Sequence, residues 1–100
     1  MEPTVAQWNA KYVNVAYAAL GEISPNVRSI TLDWHEGKWV IKVVLQEEDL
    51  EEIERIQEDI FTDVEASDGE SNIQGMVETN AGPHDFPDPP TRVIYWRREL

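Results

Sequence analysis

Residues 46–70 read QEEDLEEIERIQEDIFTDVEASDGE, and the other predicted elements can be placed around this stretch. It holds twelve acidic side chains and one basic side chain, Arg55, and so carries eleven of the twelve net negative charges of the 100-residue chain. Its apolar side chains recur at steps of three and four residues, which predicts an amphipathic helix. The side chains expected on the buried face are Leu50, Ile53, Ile56, Ile60 and Val64.

The opposite face of this helix is expected to be strongly acidic. Acids in the first turn suit the positive end of the helix macrodipole. Those further along lack that stabilisation and repel one another at spacings of three and four. Two interpretations stay open: a solvated face that keeps the protein soluble, or a surface kept negative for a positively charged partner. The side chains predicted to face outward are Glu48, Glu51, Glu52, Arg55, Glu58, Asp59 and Asp63.

Length and composition indicate one small globular domain over residues 1–100. An apolar content of 41% is enough for one core. Because the chain has no cysteine, it has no disulfides, thiolate zinc site or cysteine nucleophile. A net charge of −12 argues against binding to nucleic acid or to an anionic membrane. No secretory signal or membrane-spanning stretch is recognisable, so we expect a soluble, cytoplasmic protein.

A helix and a hairpin are predicted before the acidic helix. Apolar side chains at helical steps favour a helix over residues 5–20, with Thr4 as N-cap and Gly21 at the C-terminal cap. From residue 27 to residue 45 the apolar period is two, which is typical of two strands. A two-residue turn at residues 36–37 would put both apolar sets on one face, although a four-residue loop of the same parity remains possible.

Two further strands are predicted after the acidic helix. Residues 73–79 form the weaker one, with Gly75 interpreted as the position of a bulge. NAGPHDFPDPP at 80–90 predicts a stiff, extended connection, because proline disfavours both helices and interior strands. In the last strand Val93 and Tyr95 are expected on the face opposite to Ile94 and Trp96. The order helix–strand–strand–helix–strand–strand predicts an α+β fold of two layers, a four-stranded antiparallel sheet with both helices on one face.

No catalytic or metal site is predicted. The two imidazoles, His35 in the hairpin turn and His84 in the proline-rich segment, lack a nucleophile or a second metal ligand at useful spacing. The acids at 63–70 lack the order of a calcium-binding EF-hand loop. We therefore predict no enzymatic activity and no cofactor, and keep a small hydrolase using His35 or His84 as an alternative. Trp8, Trp34 and Trp39 are expected in the core, whereas Trp96 is a candidate interface residue.

Two short motifs carry a family resemblance: ALGEISPNVR at 19–28 and FPDP at 86–89. With the strands and the acidic helix between them, the chain resembles, over about residues 15–98, a family of small bacterial immunity proteins. These accompany contact-dependent growth inhibition toxins and related polymorphic toxins. The resemblance implies a protein that is not an enzyme and that protects the cell by binding a delivered toxin domain.

The charge pattern and the resemblance together predict the partner. A nuclease toxin lines its substrate groove with Lys and Arg, where a row of carboxylates could dock and exclude nucleic acid. We predict an immunity protein that binds such a basic toxin domain, with an acidic adaptor or nucleic-acid mimic as the alternative. Whether the helix or the open sheet face forms the interface stays undecided, as does the oligomeric state. The predicted contact residues are Glu48, Glu51, Glu52, Arg55, Glu58 and Asp59 on the helix, with Asp33, Glu36 and Trp96 elsewhere.

Overall fold

A computed structural model describes residues 2–68 and 72–98. Four strands form one sheet in the order β3-β2-β1-β4, and the helices pack together on one of its faces around the apolar core. The predicted α+β class and the four strands are confirmed. The elements are α1 (Val5–Ala19), β1 (Val27–His35), β2 (Lys38–Leu45), α2 (Leu50–Ile56), a π-helical turn (Gln57–Phe61), α3 (Thr62–Asp68), β3 (Ile73–Thr79) and β4 (Arg92–Trp96).

The prediction of a purely antiparallel sheet is wrong, because the sheet is mixed. β1 runs antiparallel to both β2 and β4, whereas β2 and β3 run parallel. Parallel neighbours require a crossover connection of a dozen or more residues. The helical segments between β2 and β3 form that crossover and return the chain to the starting end of the sheet. β3 is therefore an edge strand beside β2, on the far side of the sheet from β4.

The order of the elements also differs from the predicted one, since the acidic stretch is three successive helical segments and not one helix. The π-helical turn shifts the phase of the helix and allows the consecutive side chains Ile60 and Phe61 both to be buried. Leu50, predicted to be buried, is 71% exposed. Residues two apart on a helix point to nearly opposite sides, and Glu52 is the one that turns inward.

The predicted hairpin between β1 and β2 is confirmed with its two-residue turn. Glu36 and Gly37 both have positive φ, 50° and 79°, as a type I′ turn requires. The resulting register places Trp34 opposite Trp39, and their rings meet edge to face at 5.0 Å. Trp8 of α1 packs on Trp39 in the same manner at 5.0 Å. The three tryptophans therefore join α1 to the hairpin at one end of the core.

The caps predicted for α1 are present. The Thr4 hydroxyl accepts a hydrogen bond from the Gln7 amide at 3.1 Å, and the Gln7 side chain accepts one from the Thr4 amide at 2.8 Å. This reciprocal pair is a capping box. At the other end Gly21 has a φ of 82°, the left-handed conformation typical of a glycine that terminates a helix.

Gly75 does not mark a bulge, since the pairing of β2 with β3 is regular through it. A Cβ atom at position 75 would overlap the Phe61 ring, so the glycine is where the π-helical turn packs directly onto β3. The pairing is irregular elsewhere, between β1 and β2 near Val27 and Ser29, and between β1 and β4. There Ile94 and Tyr95 both pack against the core, which breaks the alternation predicted for the last strand.

Within the described part of the chain, no helix has the length and apolar character needed to cross a membrane. The polar loop predicted after the acidic helix falls partly on residues 69–71, which lie outside the described residues. The proline-rich segment 80–91 forms neither helix nor strand, as predicted.

Candidate functional site

The outer surface of the helical layer is the first candidate for a binding site. Except for Glu52, every acidic side chain described between residues 47 and 66 is exposed, and Arg55 is the one base in this stretch of the sequence. The acids are closely spaced along the residues directly before α2, along α2 itself, the π-helical turn and α3, so together they form a continuous negative potential. We call this surface the acidic face, and its members are Glu47, Glu48, Asp49, Glu51, Glu54, Glu58, Asp59, Asp63 and Glu65.

Arg55, the base beside the acidic face, is engaged in internal contacts. Its Nη2 atom lies 3.0 Å from Oε2 of Glu52, and its Nε atom lies 3.4 Å from Oε2 of Glu22. The guanidinium therefore joins α2 to the segment that follows α1. Its charge is shared between two carboxylates, neither of which belongs to the acidic face, so Arg55 leaves the charge of that face largely uncompensated.

The prediction that Glu52 faces solvent is wrong, since its side chain is only 7% exposed. Its carboxylate accepts hydrogen bonds from the Ser24 hydroxyl at 2.5 Å and from the Asn26 side-chain amide at 2.8 Å, besides pairing with Arg55. A buried carboxylate is tolerated only when such partners replace water. Glu52 therefore anchors the first turn of α2 to residues 24–26. It is a structural residue of the helical layer.

The first motif of the family resemblance, ALGEISPNVR at 19–28, is hydrogen-bonded to three distant parts of the chain, and we call this region the joint. The Asn26 side chain accepts a hydrogen bond from the Glu47 amide and donates one to the Glu47 carbonyl, both at 2.9 Å. Buried Arg28 donates to the carbonyls of Asn80 and Gly82 at 2.6 and 2.7 Å. Arg97, beyond β4, donates to the carbonyl of Pro25 at 2.8 Å. The sequence alone indicated a turn here, not a joint, because the partners are far apart along the chain.

A shallow cleft of about 560 Å³, wide open to solvent, adjoins the acidic face between the C-terminal end of α1 and the π-helical turn with α3. Its apolar edge is formed by Tyr17 and Leu20, which are 72% and 70% exposed. Sequence reasoning missed both residues, because they lie off the apolar stripe that predicted α1 and large exposed apolar side chains leave no periodic signal. The lining is Tyr17, Ala18, Leu20, Glu22, Glu58, Asp59, Thr62, Asp63 and Ala66.

The sheet face opposite the helices is the second candidate. The proline-rich segment crosses it and forms one wall of a groove of about 440 Å³. Two predicted contact residues lie here. Asp33 accepts a hydrogen bond from the Thr91 hydroxyl at 2.9 Å. The ring of Trp96 is stacked on His84, with ring centres 4.4 Å apart, and also contacts Phe86. Both side chains thus have internal partners that hold the proline-rich segment against the sheet.

The charges in this groove are mixed, in contrast to those of the acidic face. Nζ of Lys42 lies 3.9 Å from Oε2 of Glu78 on the adjacent strand. The lining also includes Asp33, His35 and Asp85. Glu36, a further predicted contact residue, lies in the exposed hairpin turn, with Oε1 3.6 Å from Nε2 of His35. The predicted site residues therefore divide between opposite sides of the molecule, and the structure does not bring them together.

The two histidines lie in different environments. Nε2 of His84 is within hydrogen-bond distance of the Ser29 hydroxyl, at 2.8 Å. This is the spacing of a nucleophile and a base, but Ser29 is only 1% exposed in the middle strand β1 and lies beneath the groove. Among the described residues no group of three or more His, Asp or Glu side chains is arranged to hold a metal. Glu70 and the side chain of Asp68 lie outside the described residues.

Comparison with known proteins identifies the family. No curated protein matches the chain. A family model described as MafI2 immunity protein matches residues 12–99, a range that includes both motifs of the resemblance and all elements from the middle of α1 to β4. Because this range is most of the chain, the resemblance to bacterial immunity proteins of polymorphic toxin systems is confirmed, and the chain belongs to the MafI2 immunity protein family.

Proposed function

We propose that this protein acts in the cytoplasm as an immunity protein that neutralises a cognate toxin domain by stoichiometric binding. The partner is a basic domain, most simply a nuclease, and contact is made through the acidic face. The protection is by occlusion and requires no catalysis. Family membership implies a cognate toxin, while the nature of the toxin and the surface that binds it are inferred from the charge distribution.

The observation that carries this proposal is the segregation of charge onto the acidic face. Nine exposed carboxylates lie between residues 47 and 65, while the single base among them, Arg55, is paired with Glu22 and Glu52. Like charges at helical spacings of three and four destabilise a helix slightly, so the fold itself gains nothing from most of these acids. Binding to a positively charged partner would explain why so many acids are concentrated on this surface.

A basic partner would gain both speed and selectivity from this surface. Complementary potentials raise association rates by one to three orders of magnitude at low ionic strength and disfavour partners of the wrong charge. In a nuclease the Lys and Arg side chains that hold phosphates line the substrate groove. A carboxylate surface seated in that groove would exclude the nucleic acid directly.

Four of the predicted helical contacts form the centre of this proposal. Glu48, Glu51, Glu58 and Asp59 are exposed members of the acidic face. Glu52 and Arg55 act indirectly by fixing the position of α2. Asp33 and Trp96 lie on the opposite side of the sheet, and Glu36 is at the hairpin turn, so these three are not part of the proposed contact.

Co-expression with the toxin domain encoded next to this gene tests the proposal. We expect restored growth of cells that produce the toxin, and a one-to-one complex of the two purified proteins. A toxin that remains lethal and forms no complex with this protein would refute the proposal. Comparable affinity for unrelated basic proteins would instead support the acidic-adaptor alternative, because a dedicated immunity protein discriminates between partners.

A further inference from the structure

The exposed side of α1 carries an apolar stripe that the core does not use. Val13 and Tyr17 of α1 and Leu20, the C-cap residue directly after it, are large apolar side chains that are exposed to solvent. Their spacing of four and then three residues places them on one side of the helix. The buried side of the same helix, with Val15, Ala18 and Ala19, faces the sheet. Isolated exposed apolar residues are common, but a contiguous group at the rim of a cleft indicates a contact surface.

Acids of the neighbouring helical segments line the other side of this stripe. Tyr17 and Leu20 form one edge of the cleft beside α1, and Glu58, Asp59 and Asp63 form the other. None of the lining residues is basic. Glu58 and Asp59 form no ion pair with any residue in the described part of the chain. An apolar edge and an acidic edge thus face each other across a space that is open to a partner.

We propose that Tyr17 and Leu20, with Val13 beside them, form the apolar centre of the toxin interface. The occupant of the cleft is a segment of the toxin that carries an apolar side chain flanked by Lys or Arg. Its apolar side chain packs on Tyr17 and Leu20, and its cationic groups pair with Glu58 and Asp59. This inference rests on the proposed function and specifies the part of the surface that holds the partner once it has been attracted.

The acidic face and the apolar edge of the cleft have separate roles in binding because charged and apolar contacts contribute differently to the binding energy. An exposed ion pair contributes only about 0–1 kcal/mol because water screens it and two side chains lose freedom. Most binding energy comes from a few well-packed side chains in a region that excludes water, and tyrosine is among the residues enriched there. The acidic face alone would therefore give fast but weak association. The apolar edge of the cleft provides the contact that slows dissociation.

Binding kinetics of variants against the purified toxin domain encoded by the adjacent gene test this inference. The double variant Tyr17→Ala, Leu20→Ala is expected to raise the dissociation rate at least about tenfold, with the association rate changed less than about twofold. Both side chains are exposed, so the fold should be unaffected, and circular dichroism with thermal unfolding checks this. The control is Val5→Ala, an equally exposed apolar residue twelve positions earlier on α1, about 18 Å away.

The outcomes separate this inference from the proposed function. An increased dissociation rate in the double variant but not in Val5→Ala supports the apolar centre. If the double variant binds like the wild type while neutralising Glu58 and Asp59 slows association, the apolar centre is refuted and the acidic face stands. If the wild type binds and neither change has an effect, both surfaces are refuted although the protein is still an immunity protein. Absence of any complex refutes the proposed function itself.

Discussion

The open sheet face and the acidic face differ in the surroundings of their charged side chains. On the open sheet face two of the acids have partners: Asp33 accepts a hydrogen bond from Thr91, and the Glu78 carboxylate lies 3.9 Å from the Lys42 ammonium group. On the acidic face nine carboxylates are exposed and the nearby base is paired elsewhere. Asp33 and Trp96 of this face hold the proline-rich segment against the sheet. On the helical side, Glu58 and Asp59 line a cleft that has no basic residue in its lining.

This difference shows that residue type alone does not identify a contact residue. Trp96 is the kind of residue that dominates protein interfaces, yet here it stacks on His84 and contacts Phe86. Glu51 and Glu52 are chemically identical neighbours, and only Glu52 is buried. Trp96 and Glu52 are each held by an internal partner, and this removes them from the candidate contact residues.

The largest effect is expected when the same number of negative charges is removed from the acidic face and, in a second variant, from the side of the sheet face. Changing Glu48, Glu51 and Glu58 to Gln and Asp59 to Asn should slow association with the toxin domain about a hundredfold at low salt, because electrostatic steering is lost. The dependence of the association rate on salt should fall as well. Stopped-flow measurements between about 20 and 500 mM salt report both quantities.

The matched control removes four charges from the side of the sheet face and the proline-rich segment. Its substitutions are Asp33→Asn, Glu78→Gln, Asp85→Asn and Asp88→Asn. The change in net charge is the same, so association should stay within about threefold of the wild-type rate if the position of the charge matters. Equal slowing by both variants would mean that net charge alone steers the partner, and the distinction between the two sides would have no functional meaning.

The second test concerns the buried carboxylate within the acidic stretch. Glu52→Ala leaves the Ser24 hydroxyl, the Asn26 amide and Arg55 without their acceptor, and should lower the free energy of unfolding by about 2.5 kcal/mol. Glu54→Ala, two positions along the same helix and exposed, should change it by less than about 0.5 kcal/mol. Urea unfolding monitored by tryptophan fluorescence measures both. Similar free energies of unfolding for the two variants would show that Glu52 does not anchor α2 to residues 24–26.

The third test concerns how closely the helical layer lies on the sheet. In Gly75→Ala the added methyl group would overlap the Phe61 ring, and overpacking of this kind should cost about 2 kcal/mol. Adding Phe61→Leu should restore part of that loss, since the smaller side chain vacates the space next to Cα of residue 75. Two results would contradict this explanation. One is a Gly75→Ala variant as stable as the wild type. The other is a double variant in which Phe61→Leu lowers the free energy of unfolding by as much as it does in the wild type.

The features that the sequence predicted are those with a local physical cause. The hairpin register follows from the apolar period of two together with a turn that Gly37 permits. The N-cap of α1 needs only Thr4 directly before the first helical residue. The acidity of the second helical region is a property of residues 46–70 alone. In each case the residues that decide the structure are close together in the chain.

The features that the sequence did not predict depend on distant partners. Side chains alternate between the two faces of any strand, so the pattern over residues 73–79 does not tell whether the strand runs parallel or antiparallel to β2. The inward turn of Glu52 depends on Ser24 and Asn26, more than twenty-five residues earlier in the chain. From the sequence alone, a charged side chain is assigned to the exposed face of a helix. Tyr17 and Leu20 became candidates only when the fold placed them opposite Glu58 and Asp59 across a cleft.

The smallest expected effect is on the sheet face, at His84. The His84→Ala substitution removes the stack on Trp96 and the hydrogen bond to Ser29, and should lower the free energy of unfolding by about 1 kcal/mol. His35→Ala, at the exposed turn, should have almost no effect. Neither should alter the affinity for the toxin domain, because both lie away from the acidic face. Loss of protection at unchanged affinity in His84→Ala would instead favour the hydrolase alternative, in which this ring acts on a substrate in the groove.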